Sequence, residues 1–293
     1  MSQQPPTTNR KAHPLESFEE RGQQAQQSAP QGPRRMLLFR RVSRKPYITY
    51  GLIAINVLIF IIRTLSPALD LDWLLRGANS GAAVFGAGEV WRLFTSMFLH
   101  ASINDYQGGY VFGNAIHILF NMAILYSSGG TVERFFGHTR FALIYLLGGL
   151  TASFVSSASG VALSVGASGA VLAILGAEFA FYYRHRDLLG DRGRALRGSL
   201  IRLAIVNLIF GVLSGFSSGM RVDNWAHIGG AIAGLGLAAL AGARYVPVPP
   251  RGEQRLIIVR DHSDLRQSTI RLAVYAVALA ALIAVMVVIT PGA

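Results

Sequence analysis

Residues 165–183 read VGASGAVLAILGAEFAFYY, a stretch in which Glu178 is the only charged side chain. A hydrocarbon core about 30 Å thick needs roughly 20 apolar residues in helical form, so this stretch approaches the length of a membrane span. A segment in lipid must satisfy its own backbone hydrogen bonds, which a helix does. The stretch therefore predicts a membrane-spanning helix with Ser168 near its beginning.

Six further apolar runs lie on either side of this one. They are 47–65, 114–128, 141–157, 200–217, 225–243 and 271–290. The composition agrees with a membrane protein, because 52% of the 293 residues are hydrophobic and only 14% are charged. We therefore predict an all-α polytopic membrane protein, namely a six-helix bundle followed by a seventh transmembrane helix.

The net charge of +12 would suit a nucleic-acid-binding protein, but its distribution argues against that partner. The basic residues concentrate in alternate gaps between apolar runs, at 34–45, 134–140, 184–197 and 244–266. The intervening gaps contain few of them. The positive-inside rule then predicts a cytoplasmic N-terminus and a C-terminus outside. We expect a multi-pass protein of a cell membrane, and the Arg-dominated, Ala- and Gly-rich composition points to a bacterial inner membrane.

Four regions follow from this pattern. Residues 1–46 are predicted to be a disordered basic cytoplasmic tail, because they are rich in Gln, Pro, Ser and Arg. Residues 47–243 form the predicted core of six helices, 244–267 a cytoplasmic linker, and 268–290 the seventh span. The tail could contact anionic membrane lipid.

Polar residues come from three separate runs at one predicted depth. In the derived topology the second, fourth and sixth runs all begin on the outside, and they contain His117 and Asn121, Ser168, and His227. Ionisable residues inside a membrane are functional candidates by default. Each has an ordinary explanation when taken alone, such as helix packing for the serine or an interhelical hydrogen bond for the others. Their convergence favours a shared site.

Acyl transfer gives this set a chemical reason. A serine hydroxyl needs a base to remove its proton, and a neutral histidine is the usual base near pH 7. The developing oxyanion needs donors, which Asn121, His117 and the backbone N–H of Ser168 can supply. The helices of Ser168 and His227 can approach closely only if small residues lie between them. The chain has glycine at Gly166, Gly169, Gly230 and Gly234.

The motifs resemble, in residues and in order, those of the rhomboid proteases. The matching pieces are a GxSG motif at 166–169, an AHxxGxxxG motif at 226–234, an HxxxN motif at 117–121 and a Trp-Arg pair at 91–92. The resemblance covers about residues 50–243.

The resemblance implies a Ser–His dyad in which Ser168 is the nucleophile and His227 is the base. It implies that His117 and Asn121 stabilise the oxyanion, and that the substrates are transmembrane proteins cut near the outer face of the bilayer. The seventh span is similar to that of the family's six-plus-one form. No metal and no organic cofactor is implied.

Several residues depart from the pattern or have a second interpretation. Leu172 stands where many bacterial members have an aromatic residue, four positions after the serine. His100 either matches a loop histidine of the family or is an ordinary interfacial histidine. We interpret Asp223 as a solvated loop residue rather than a third catalytic acid, and Glu178 as a partner of Arg184 or Arg186 in an ion pair.

Two other classes of function compete with the protease. A catalytically inactive rhomboid-like protein would bind membrane clients without cutting them, but such relatives typically lack the serine or the histidine. A transporter or metal carrier could use His100, His117 and His227, yet the chain has neither an HExxH motif nor convincing repeated halves.

Overall fold

The computed structural model of the chain describes residues 36–39, 45–103, 111–214, 222–248 and 256–290. Within these ranges the helices are α1 (Tyr47–Leu65), α2 (Pro67–Gly77), α3 (Arg92–Thr95), α4 (Phe112–Phe136), α5 (His138–Ala158), α6 (Ser168–Arg184), α7 (Arg186–Ser214), α8 (Asn224–Ala241) and α9 (Leu265–Ile289). Helix α4 passes through a π-helical turn at Leu125–Gly129, and α7 is interrupted at Gly190, where φ is 51°.

Each of the seven predicted apolar runs is helical over most of its length. Within the described ranges six helices, α1, α4, α5, α7, α8 and α9, are long and apolar enough to cross a membrane. The remaining run forms α6, which is shorter at 17 residues. The prediction of an all-α polytopic membrane protein is confirmed.

Helix α6 lies at the centre of the bundle, and most of its residues are buried. It packs most closely against α5 and α8 through small residues. A Cβ atom added at Gly148 of α5 would overlap the Cβ of Ala173, and one added at Gly234 of α8 would lie 2.5 Å from the carbonyl carbon of Ala173. Glycine at these positions therefore lets three helices approach backbone to backbone.

The stretch between α1 and α4 is largely helical rather than an extended loop. Its described part contains α2, a π-helical turn at Ala82–Gly86, α3 and a short 3-10 turn, while residues 104–110 lie outside the described ranges. Val84 and Phe85 of the π-helical turn pack against Ile283 and Met286 of α9. Helix α9 thus packs against this stretch as well as against the bundle.

A fully buried ion pair fixes the junction between α1 and α2. Arg63 Nη2 lies 2.5 Å from Asp70 Oδ1, and neither side chain is exposed. Ser102 Oγ donates to Asp70 Oδ2 at 2.6 Å, and Arg63 Nη1 donates to the carbonyl oxygen of His100 at 2.6 Å. Hydrogen bonds to both charges are what a buried pair needs to offset its desolvation.

A small sheet lies at the end of the bundle opposite Ser168. We call this end, where Arg140, Arg184 and Arg244 lie, the basic end. Its strands are β1 (Met36–Phe39), β2 (Tyr245–Val248) and β3 (Leu256–Asp261), in the order β1-β3-β2. Strand β1 runs parallel to β3, with Met36 opposite Leu256, and β2 runs antiparallel to β3, with Tyr245 opposite Asp261.

The sheet differs from the sequence prediction for 1–46 and 244–267. The expected tail contributes β1, and the expected linker contributes β2 and β3. Residues 1–35 and 40–44 lie outside the described ranges, as do 249–255. The apolar pattern of these strands was too short to be recognised, because each strand acquires its partners from residues far away in the sequence.

Two sets of contacts attach the helices to one another at the basic end. Glu133 of α4 accepts hydrogen bonds from the backbone N–H groups of Ile48 and Thr49 at 3.0 and 2.8 Å, which satisfies donors at the start of α1. Arg140 of α5 forms an ion pair with Asp261 of β3 at 2.9 Å. Polar contacts thereby hold the starts of α1 and α5 to neighbouring elements.

Candidate active site

Ser168 is the first residue of α6 and is almost fully buried. The turn before it depends on Gly166, whose φ of 133° is a conformation that side-chain-bearing residues rarely adopt. The N–H of Gly166 donates to the carbonyl oxygen of Ser96 at 2.9 Å. This bond ties the start of α6 to the 3-10 turn that follows α3.

His227 lies in the first turn of α8, and its ring is buried. Neither Nδ1 nor Nε2 has a hydrogen-bond partner among the described residues. The start of the helix is capped by Asp223, whose Oδ1 accepts from the N–H of Ala226 at 2.9 Å. Buried polar atoms without a partner are uncommon in folded proteins, so this ring needs an explanation.

Close contact between α6 and α8 brings the turns of Ser168 and His227 together. A Cβ atom added at Gly169 would lie 3.5 Å from the carbonyl oxygen of Ala226. One added at Gly230 would overlap the carbonyl oxygen of Gly169 and lie 2.9 Å from its carbonyl carbon. Gly169, the residue after Ser168, therefore lies against Ala226, the residue before His227, and against Gly230, one turn after His227.

His117 and Asn121 of α4 reach the same region. His117 Nε2 and Asn121 Nδ2 are 3.1 Å apart. A Cβ atom added at Gly166 would lie 3.7 Å from His117 Nε2 and 3.8 Å from Ser168 Oγ, so the imidazole and the hydroxyl both border this glycine. His117 is also close enough to His227 for the two rings to interact electrostatically.

His100 is a further residue of this cluster. Its side chain is buried, its ring centroid lies 6.3 Å from that of His117, and its Nε2 accepts the N–H of Ala167 at 3.4 Å. Burial lowers the pKa of His100 to about 3, and His117 and Arg63 act in the same direction. The ring is therefore neutral at pH 7, and a neutral ring can accept the Ala167 N–H.

The family model of the Rhomboid domain matches residues 87–244, which include the five side chains of this cluster. The chain belongs to the rhomboid family. The matched range contains α3 to α8, whereas α1 and α9 lie outside it.

Curated relatives carry the same family name. Rhomboid protease GluP of Bacillus subtilis (strain 168) is 33% identical over 199 residues, which are 68% of this chain and 35% of that protein. RHOMBOID-like protein 2 of Arabidopsis thaliana is 39% identical over 172 residues, 58% of this chain and 48% of the plant protein. RHOMBOID-like protein 1 of the same plant is 35% identical over 172 residues, 58% of this chain and 39% of that protein. The chain thus spans about a third to a half of the length of these relatives.

Two sequence interpretations are corrected in this rhomboid. Asp223 is not a solvated loop residue, because it caps α8 and its Oδ2 accepts from Ser156 Oγ at 2.5 Å. Glu178 forms no ion pair within the described ranges and instead accepts from the hydroxyl of Tyr182 at 3.0 Å. Arg184 donates to carbonyl oxygens at the end of α8. The contact of Asp223 with Ser156 could not be predicted from the sequence, since 67 residues separate them, whereas Ala226 and Tyr182 lie one helical turn from their acids.

His100 is the site residue for which the sequence left two interpretations open. The Trp-Arg pair at 91–92 was the signal in the sequence that could have favoured a site residue, since it belongs to the stretch that packs on the site. Arg92 Nη1 donates to the carbonyl oxygen of Ala78 at 2.9 Å, and Trp91 Nε1 donates to that of Arg76 at 3.1 Å. An interfacial histidine would be partly exposed, whereas His100 is buried between α1 and the start of α6.

Leu172, one turn after Ser168, is in an apolar environment. It is buried and lines a small apolar cavity between α6, α7 and α8 together with Leu200 and Ala231. Within the described ranges, no three histidine or acidic side chains are arranged to hold a metal ion.

Proposed function

We propose that this rhomboid is an intramembrane serine endopeptidase that cleaves transmembrane segments of other membrane proteins. The observation that carries the proposal is the buried ring of His227, which has no hydrogen-bond partner among the described residues. His227 lies on α8, which packs directly against the start of α6, where Ser168 lies. A buried donor or acceptor without a partner costs about 1–3 kcal/mol. A general base needs a ring nitrogen that is free to accept a proton, which gives this cost a function.

In the proposed reaction Ser168 Oγ attacks the carbonyl carbon of the scissile peptide bond while a ring nitrogen of His227 takes the hydroxyl proton. The tetrahedral intermediate collapses to an acyl-enzyme, and His227 returns the proton to the leaving amine. A water molecule then repeats the sequence on the ester, with His227 as its base, and releases the second product. The proposal gives Asp223 no catalytic role, because its carboxylate is bound to Ser156 and Ala226.

The oxyanion donors in this proposal are His117, Asn121 and the backbone N–H of Ser168. The N–H groups in the first turn of a helix have no intrahelical partner, so that of Ser168 is available. The two side chains border the same glycine as the hydroxyl. Loss of one such donor typically costs about 2.7–4 kcal/mol of transition-state stabilisation.

We also propose the topology and the division of the chain. The arginines of the basic end favour the cytoplasm, so the cluster lies toward the outer face, where substrate spans would be cut. Residues 47–243 are proposed as the protease core and 268–290 as the seventh span, with the N-terminus inside and the C-terminus outside a bacterial inner membrane.

The test uses the full chain in liposomes together with a single-span substrate and a fluorophosphonate probe. Ser168→Ala should reduce cleavage to background and abolish labelling, and His227→Ala should abolish labelling although Ser168 is present. Ser159→Ala is the matched control, because Ser159 also precedes a glycine but is exposed at the end of α5. It should cut and label like the wild type.

Cleavage by Ser168→Ala at the wild-type rate would show that another residue is the nucleophile. If the folded wild type binds membrane clients but neither cuts nor labels, the protein is the inactive client-binding relative instead. Loss of labelling in Ser159→Ala would contradict the proposal, because the reactive hydroxyl would then depend on the end of α5 and not only on Ser168.

A further inference from the structure

A second cavity lies at the basic end, far from the catalytic cluster. It has a volume of about 420 Å³, is open on one side, and is lined by the junction of α6 with α7 and by β2. Its polar lining comes from Arg184, His185, Asp187 and Arg244. The proposed peptidase reaction uses none of these residues.

The charge of this lining is positive. Arg184 and Arg244 are close enough to repel one another. The side chain of Arg244 is exposed and takes part in no ion pair that the described ranges contain. Asp187 points to solvent, with 91% of its side chain exposed, and lies 3.9 Å from Arg186. Arg184 and Arg244 therefore both line a cavity in which the single acid among the described lining residues is directed elsewhere.

Hydrogen bonds to the rest of the protein hold Arg184 and His185 in place. Arg184 donates to the carbonyl oxygens of Ala239 and Ala238 at 2.9 and 3.2 Å, which anchors its guanidinium at the end of α8. His185 Nδ1 lies 2.8 Å from the carbonyl oxygen of Phe181, and its Nε2 accepts the N–H of Tyr245 at 2.9 Å. Burial lowers the pKa of His185, so this ring adds no charge at pH 7.

The depth of the cavity matches that of lipid headgroups. It lies where α6 and α8 end, and the exposed Tyr183 in the last turn of α6 has the guanidinium of Arg186 above its ring, 4.9 Å from the centroid. Exposed tyrosine at a helix end is typical of the boundary between hydrocarbon and headgroups. Leu240, in the last turn of α8, is also exposed and would face acyl chains.

We propose that this cavity binds the phosphate of an anionic phospholipid headgroup, with Arg244 as the free cation and Arg184 as the anchored one. Basic pockets between spanning helices at the headgroup level suit this chemistry. Arginine matches phosphate through paired N–H donors. The lipid would bridge the core helices and β2.

The experiment measures lipid binding by native mass spectrometry of the full chain in detergent, titrated with phosphatidylglycerol, phosphatidylcholine or inorganic phosphate. Loss of one charge-assisted hydrogen bond should weaken binding about tenfold. We therefore expect Arg244→Gln to raise the Kd for phosphatidylglycerol about tenfold. Arg266→Gln is the control, because Arg266 is exposed at the basic end in α9 but does not line the cavity. It should leave the Kd unchanged.

Equal weakening by both variants would mean that binding follows net charge, and the site would not exist as described. Equal affinity of the wild type for phosphatidylcholine would overturn the proposal too. Tight binding of inorganic phosphate in place of lipid would assign the cavity to a soluble anion and likewise refute it. Because the assay measures binding alone, its outcome is independent of whether Ser168 is a nucleophile.

Discussion

Gly230→Ala should separate the two helices that carry the proposed nucleophile and base. The added Cβ would overlap the carbonyl oxygen of Gly169 and lie 2.9 Å from its carbonyl carbon, whereas real Cβ atoms essentially never approach a neighbour under 3.0 Å. The obstacle is backbone, so no side chain can rotate away. Helices α6 and α8 must therefore part by on the order of 1 Å beside Ser168.

The magnitude follows from two opposing effects. Overpacking of this kind costs about 1–3 kcal/mol, and alanine recovers roughly 1 kcal/mol of helix propensity relative to glycine. Gly236→Ala isolates the second effect, because Gly236 lies in the same helix and a Cβ there meets nothing within 4 Å. We expect Gly236→Ala to stabilise the fold by up to about 1 kcal/mol, and Gly230→Ala to fall about 1–3 kcal/mol below it.

The effect on the reaction should exceed the effect on stability. A misplacement of about 1 Å between reacting groups can lower a rate about 10²-fold. The assays are unfolding of the full chain in mild detergent and the rate of fluorophosphonate labelling under folding conditions. If the two alanine variants have the same stability and the same labelling rate, close approach of α6 and α8 is not what holds Ser168 and His227 together.

Loss of charge should have little effect on labelling at Asp223 but a large effect on stability at Asp70. Asp223→Asn should label at nearly the wild-type rate, because an amide also caps a helix, whereas a third catalytic acid would lose about 10⁴-fold on the same change. Asp70→Asn should destabilise the fold by about 3–5 kcal/mol, because it leaves Arg63 buried without its counter-ion. The matched control is Asp72→Asn in the same helix, whose partner is exposed, and it should change the free energy of unfolding by less than about 0.5 kcal/mol in the same denaturation assay. Equal effects at the two positions would remove the buried pair from the list of stabilising contacts.

The spans were predictable because their signal is local. Length and apolar composition decide whether a segment can cross a membrane, so 271–290 could be assigned to a helix without knowledge of any other residue. The ends were less accurate. Helix α9 begins at Leu265, where Asp264 caps it, rather than near residue 271. The first residues after a cap are helical but polar, so hydropathy alone does not assign them to the helix.

The candidate site could be predicted residue by residue but not in its supporting contacts. Ser168, His227 and His117 stand in recognisable motifs, and the structure brings their helices together. The role of His100 as a partner of Ala167 could not be read from the sequence, because 67 residues separate them. The contact of Glu178 with Tyr182 is local, since the two residues lie one helical turn apart, but the sequence alone does not decide between this hydroxyl and an arginine as the partner.

By itself the sequence determined that this chain crosses a membrane several times and which polar side chains lie within the apolar runs, since both follow from the composition of single segments. Only the tertiary structure decided that β1 and β3 pair across more than 200 residues, that Arg63 neutralises Asp70 inside the fold, and that two arginines face one cavity. The physical reason is that such contacts are set by which backbones can approach closely, and glycine and alanine at the crossing of α6 and α8 permit an approach that no single segment reveals.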